Sequence, residues 1–287
     1  HEAGELAQRI VDDLSKPYQI DGHQIVIGAS VGIAMAPRDG VDADYLLKNA
    51  DMALYHAKAG GRGVWRFFEP EMDARAQARR ALELDLRRAL AEGEFELFFQ
   101  PLLSLRTMRI TTCEALIRWR HPQRGMVPPM EFIPVAEDMG LIIEIGDWVL
   151  RQACLECMQW PSDVRVAVNL SPIQFRRDNL QIVIAQALAQ SKLPANRLEV
   201  EITESVLLQD VKKAREMLEQ FAEMGVRVSL DDFGTGYSGL SYLNSFPFHK
   251  VKIDRSFVRS LDSDERALTL LRGVANLTAS LGMTVTV

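Results

Sequence analysis

No stretch of this sequence is long and apolar enough to cross a bilayer. The run from Leu141 to Leu150 is interrupted by Glu144 and Asp147, whereas a spanning helix needs about 20 apolar residues. No signal-peptide pattern opens the chain, whose first residues read as mid-domain helix. Cysteine is scarce. Cys113, Cys154 and Cys157 cannot build a disulfide framework and fit a reducing compartment, so a cytoplasmic location is expected. Cys154 and Cys157 form one C-x-x-C without a second pair. In a helical segment that spacing is ordinary packing rather than a zinc site. An excess of positive charge is also missing. The net charge of −6 argues against a broad grip on a nucleic-acid polymer, but leaves room for a small phosphate ligand held through metals.

At 287 residues, 47% hydrophobic and 25% charged, the chain has the composition of one large or two modest globular domains. Residues 1–69 read as part of an α+β domain. Glu2–Leu14 is the end of a helix, and strands at Tyr18–Ile20 and Gln24–Met35 flank the turn Asp21-Gly22. An amphipathic helix follows over Asp42–Ala59, with Leu46, Leu47, Ala50, Ala53, Leu54 and Ala57 on its apolar side. Gly60-Gly61 stops it, and Val64–Phe68 is a last strand. Residues 70–92 read as a charged linker helix, with Ala81, Leu84, Leu86 and Leu90 as its apolar contacts.

From residue 93 to 287, strands alternate with helices, the signature of a parallel α/β fold. Strands are expected at Glu96–Leu103, Ile110–Trp119, Val164–Leu170, Arg197–Thr203, Val226–Asp232, Lys250–Asp254 and Met283–Val287. Helices are expected at Pro129–Asp138, Ile143–Trp160, Leu180–Ser191, Val211–Met224 and Ser263–Leu281. Asn169 and Glu201 lie 32 residues apart, and Glu201 and Asp231 lie 30 apart, a regular spacing that suits successive units of a TIM-like (β/α) barrel. Within the strands, one parity is branched and apolar: Val166, Val168; Leu198, Val200, Ile202; Val228, Leu230; Val251, Ile253. The other carries Arg165, Asn169; Glu199, Glu201; Arg227, Asp231; and Lys250, Lys252. In a barrel the apolar face packs outward on helices and the polar set converges on the lumen.

That convergence concentrates chemistry. Asp231 and Asp232 end an apolar run and open into Phe233-Gly234-Thr235-Gly236-Tyr237. Desolvated neighbouring carboxylates repel unless a cation or proton lies between them. Glu114, Asn169, Glu201, Asp231 and Asp232 are all oxygen donors near strand C-terminal ends, the ligand set of hard divalent cations. Two adjacent acids allow one carboxylate to bridge two metals, as in in-line attack on phosphate esters. Lys252 shares their parity and can hold or deprotonate a water, or neutralise charge. Arg118, four residues past Glu114, suits a phosphate. Each residue also has an ordinary reading: Glu201 on a surface strand, Asn169 as a turn former, Lys252 paired with Asp254, Arg118 beside Trp119. Those readings do not account for a shared parity on consecutive strands. His121 reads as structural.

Glu114-Ala115-Leu116-Ile117-Arg118-Trp119, Val168-Asn169-Leu170-Ser171, Glu201-Ile202-Thr203-Glu204, Asp231-Asp232-Phe233-Gly234-Thr235-Gly236, Lys252-Ile253-Asp254 and Gln100-Pro101 together resemble the EAL-domain cyclic-di-GMP phosphodiesterases. The resemblance covers about Leu82 to Val287. It implies a TIM-like barrel that hydrolyses cyclic di-GMP to linear pGpG with two divalent ions, Mg or Mn. Glu114, Asn169, Glu201 and Asp231 would hold one metal, and Asp231 and Asp232 would address the second. Lys252 would contact the attacking water. Gln100, Leu116 and Arg118 would bind the dinucleotide, and Glu204 would support the Asp231–Gly236 loop in the catalytic machinery. Residues 1–69 resemble the C-terminal half of a GGDEF diguanylate cyclase domain, through Ala29-Ser30-Val31-Gly32-Ile33-Ala34, Ala50–Lys58 and Gly61-Arg62-Gly63. In that family Lys58 and Arg62 would face nucleotide phosphates. The GGDEF signature is not among these residues. The EAL family's Glu-Gly-Val-Glu motif and closing strand come after Val287, so the barrel is expected to be incomplete at its C-terminus.

Three functions compete. The first is an active phosphodiesterase. The second is a catalytically silent cyclic-di-GMP receptor that acts through a protein partner. The third is an aldolase-like barrel with Lys252 as a Schiff base, disfavoured because an amine among carboxylates stays protonated. A homodimer through the barrel is a further expectation, with Leu240, Tyr242, Leu243, Phe246 and Phe248 as its apolar surface.

Overall fold

The computed structural model describes residues 2–234, 243, 245–259 and 265–287. The chain divides into two compact units, His1–Leu84 and Asp85–Val287.

The first unit holds helix α1 (Glu2–Leu14), strands β1 (Tyr18–Ile20), β2 (His23–Ile25) and β3 (Val31–Ile33), helix α2 (Ala43–Ala59) and strand β4 (Trp65–Phe67). β1 and β2 form an antiparallel hairpin, while β3 pairs in parallel with β4. The single strand expected over Gln24–Met35 is therefore two strands in two different sheets. Asp42 caps α2 by accepting from the backbone N–H groups of Asp44 and Tyr45, as short acidic side chains do. Ala53 and Ala57 are buried, but Leu47 is 71% exposed and Asn49 lies inside, donating to Asp39 O. A helix turns 100° per residue, so an apolar side chain next to the stripe falls off it. Lys58 and Arg62 are both exposed.

Helix α3 (Pro70–Glu92) spans the division between the units. Leu82, Leu86 and Ala89 are its buried stripe, and Leu84 faces out.

The second unit is built on an eight-stranded sheet. Its strands are β5 (Phe95–Ser104), β6 (Arg109–His121), β7 (Gly125–Val127), β8 (Arg165–Asn169), β9 (Leu198–Thr203), β10 (Arg227–Phe233), β11 (Lys250–Ile253) and β12 (Thr284–Thr286). The order is β12-β11-β10-β9-β8-β6-β5, with β7 on β6. β6, β8, β9, β10, β11 and β12 run parallel, and the sheet curls as in a TIM-like barrel. β5 departs from the expected parallel pattern: it is antiparallel to β6, because a short turn rather than a helix joins them. Helices α4 (Pro129–Asp138), α5 (Ile142–Cys157), α6 (Pro172–Phe175), α7 (Leu180–Ser191), α8 (Glu204–Gln209) and α9 (Val211–Glu223) fill the connections. The short helix Arg255–Arg259 and the helix Glu265–Ser280 follow β11.

Val166, Val168, Leu198, Val200, Ile202, Val228, Leu230, Val251 and Ile253 are all buried. α5 turns Ile145, Val149, Ala153, Cys154 and Cys157 inward on one stripe, so both cysteines are packing residues. Trp119 and Phe132 are fully buried and meet edge to face, with Phe95 tilted against both. Truncating an aromatic in such a cluster costs about 3–5 kcal/mol. His121 ends β6 inside this core, its Nδ1 accepting from the N–H groups of Gln123 and Arg124. Leu243, Phe246 and Phe248 are buried as well. They are not the exposed apolar surface expected for a dimer, and Leu240 and Tyr242 lie outside the described residues.

Candidate active site

Period-two alternation decides which groups meet. Asn169 on β8, Glu201 on β9, Asp231 on β10 and Lys252 on β11 occupy the lumen parity near strand C-terminal ends, and Glu114 shares that parity from the middle of the longer strand β6. Carboxylate oxygens of Glu114, Glu201 and Asp231 lie within 4.8 Å of one another. Asn169 Nδ2 donates to Glu114 Oε1 at 2.7 Å. Ser171 follows two residues later, closing a capping box with Gln174 and donating to Glu137 Oε1, which anchors the end of β8.

Lys252 Nζ stands at the centre. It donates to Glu201 Oε2 at 2.5 Å, Glu114 Oε2 at 3.0 Å and Asp231 Oδ2 at 3.1 Å. Burial alone would lower the pKa of this ammonium, but Glu201, Asp231 and Glu114 raise it well above the ordinary lysine value. Burial pushes the Glu201 carboxyl up to about 8, with Lys252 opposing and Glu114 adding repulsion. Glu201 is 1% exposed, and its Oε1 has no hydrogen-bond partner among the described residues. An orphaned buried carboxylate oxygen beside two further acids suits a divalent cation.

Asp232 is placed differently from Asp231. Between Leu230 and Phe233 the β10–β11 register slips by one residue, so Asp231 and Asp232 together oppose Lys252. This is a β-bulge, with Asp232 in the left-handed region at φ 53°. Asp232 is exposed and lies outside the three-acid group, with its N–H bonded to Asp231 Oδ1. Its pKa is raised by partial burial and by the charges of Asp231 and Asp254. Asp254 itself accepts from the Ser256 N–H and caps the helix after β11.

Glu204 opens α8 directly after β9, so strand parity no longer applies to it. It sits apart from the three acids. Its Oε1 accepts from the Gly234 N–H at 2.9 Å. Gly234 has φ 99°, and a Cβ there would fall 2.5 Å from the Phe257 ring. Thr235, Gly236 and Tyr237 lie outside the described residues. Phe257, which crowds this turn, was not singled out from sequence, because an apolar residue on a short helix carries no chemical signal.

Around the mouth, Gln100 is exposed on β5 and opposes Glu114 in register. Leu116 is half-buried and opposes Phe98. The Arg118 guanidinium lies over the Phe98 ring, 5.3 Å from its centroid, while Nη1 donates to Ile117 O.

An acid-lined lumen at the C-terminal ends of parallel strands defines a TIM-like barrel with an oxygen-donor centre. Residues 83–287 match the EAL domain model, and the chain belongs to that family. Residues 1–64 match the model of the diguanylate cyclase GGDEF domain. An uncharacterized signaling protein of Caulobacter vibrioides is 47% identical over 97% of this chain and 34% of its own length. MucR of Pseudomonas aeruginosa, a bifunctional diguanylate cyclase/cyclic di-GMP phosphodiesterase, is 43% identical over 93% of this chain and 40% of its own length. The chain thus spans well under half of these curated relatives. A solved structure of the PaMucR phosphodiesterase in complex with c-di-GMP superposes with a TM-score of 0.69 at 38% identity, covering 71% of this chain and 85% of that one. Among the described residues no helix is long and apolar enough to cross a membrane.

Proposed function

We propose that this chain is the phosphodiesterase part of a cytoplasmic signalling protein, and that it hydrolyses cyclic di-GMP to linear pGpG with two divalent cations, Mg or Mn. The reading is carried by the meeting of carboxylate oxygens of Glu114, Glu201 and Asp231 within 4.8 Å, with Glu201 Oε1 unpartnered among the described residues. Membership of the EAL family and likeness to the PaMucR phosphodiesterase support the substrate.

Glu114, Glu201, Asp231 and the amide oxygen of Asn169 would hold one cation, and Asp231 with Asp232 the second. When bound, these ions supply Lewis-acid polarisation of a phosphate oxygen and a lowered pKa for water at the site. Lys252 gives up part of its hold on the acids and orients the attacking water with a freed N–H. Water adds to phosphorus and gives up a proton to solvent, one P–O3′ bond breaks, and the leaving O3′ takes a proton back from solvent, which opens the ring to a linear dinucleotide with one water consumed. Arg118 and Gln100 hold the dinucleotide at the mouth with the apolar face of Leu116. Glu204 tethers Gly234 and so keeps Asp231 and Asp232 in place.

The test is hydrolysis of cyclic di-GMP by the full chain with Mg or Mn, followed by chromatography of the product, and again in excess chelator. Metal-dependent appearance of pGpG is expected. Undiminished turnover in chelator overturns the metal role. Tight binding without turnover would instead make the chain a silent receptor.

A further inference from the structure

Two ion contacts run from β9 to β11 across β10. The upper one, Glu201 Oε2 to Lys252 Nζ, belongs to the site. The lower one joins Glu199 Oε1 to Lys250 Nζ at 2.5 Å. Glu199 precedes Glu201 by two residues, and Lys250 precedes Lys252 by two, so both rungs project from the same face of the same strands. Ser229 of β10, fully buried, lies in register with both Glu201 and Lys250.

The lower rung is more deeply buried than the upper one. Glu199 is 0% exposed and Lys250 7%. Their contact meets the distance of an ion pair but not the angles of a hydrogen bond. Arg227 Nε stands 3.9 Å from Glu199 Oε2. Arg165 and His249 complete the electrostatic surroundings. None of these side chains belongs to the carboxylate group above.

A buried pair of this kind contributes little net stability, because desolvation offsets most of its attraction. What it adds is a side-chain contact across one intervening strand, beyond the backbone ladders that join β9 and β11 to β10. That contact matters most when the upper rung loosens. Three carboxylates now rest on the Lys252 ammonium, and a cation shared by Glu201 takes part of that attraction away. The lower rung is buried and lies outside the group of three acids.

We propose that Glu199 and Lys250 form a positioning pair. It holds β9 and β11 at the separation where Glu201 serves a cation while Lys252 stays in reach of the attacking water. The proposal rests on the phosphodiesterase reading above.

The test is the double variant Glu199→Gln/Lys250→Met in the full chain, which removes both charges with little change in volume. Circular dichroism and melting should stay near wild type. The kcat for cyclic di-GMP should fall about tenfold with KM within about twofold. The Mn concentration for half-saturation, read by calorimetry without substrate, should rise severalfold. Lys250→Arg, which keeps the pair, should recover most of both. A merely structural pair would lower the melting temperature without moving Mn half-saturation. A folded double variant with unchanged Mn binding overturns the proposal. So does failure of the double variant to fold, since the pair would then serve the fold at large. A wild-type chain inactive on cyclic di-GMP, beside a double variant with weakened Mn binding, would overturn the functional reading and leave the positioning pair standing.

Discussion

Lys252 Nζ lies 2.5 Å from Glu201 Oε2, and the same ammonium reaches Glu114 and Asp231. One cationic side chain thus rests on all three acids, and on the reading proposed above it would compete with metal for them. Lys252→Met should therefore separate binding from turnover. Divalent-cation affinity should rise about tenfold as the competitor is removed. The kcat should fall about a hundredfold or more with loss of the group that holds water. Calorimetry with Mn and steady-state kinetics check the two arms. Weaker Mn binding would show that the lysine supports the metal rather than competes with it.

Glu201 sets a pH dependence. Burial raises its folded-state pKa to about 8 from an ordinary value near 4.5. A raised carboxyl contributes stability that is fully present below the unfolded value and is lost as pH rises through the folded one. In chelator, the melting temperature should fall as pH climbs across that window. Apparent Mn affinity should rise over the same window and level off above it, since the ligand must lose its proton. Glu201→Gln should flatten the stability slope. A slope unchanged in that variant would assign it to another group.

Glu204 bonds the Gly234 backbone and lies apart from the three acids. Glu204→Ala should lower metal affinity and activity together while the fold persists, because the turn after the bulge loses its tether. Excess Mg should restore part of the rate. A crystal structure of the variant with Gly234 unmoved and Mg without effect would make Glu204 a direct participant.

Arg118 stands over the Phe98 ring on β5, and its Nη1 donates to Ile117 O. Arg118→Ala should raise KM about tenfold or more and leave kcat within about threefold, the pattern of lost substrate binding. A collapsed kcat at constant KM would contradict a binding role.

Much of this architecture is legible in the residues themselves. The alternation Leu198–Thr203 and Arg227–Asp231 is a local property of extended backbone, so it reveals which side chains share a face without any knowledge of the partner strand. The helical stripe of α5 is legible for the same reason. The oxygen-only character of Glu114, Asn169, Glu201 and Asp231 likewise follows from residue type and strand position. Tertiary structure alone decided the level at which one strand meets the next. The one-residue slip between Leu230 and Phe233 brings Asp231 and Asp232 together opposite Lys252. The start of α8 at Glu204 turns that side chain toward Gly234. The buried rung from Glu199 to Lys250 exists only once β9, β10 and β11 are in register. Periodicity is written along the chain, whereas register, bulges and ion pairs between distant strands depend on long-range packing, for which a single sequence carries no local signal.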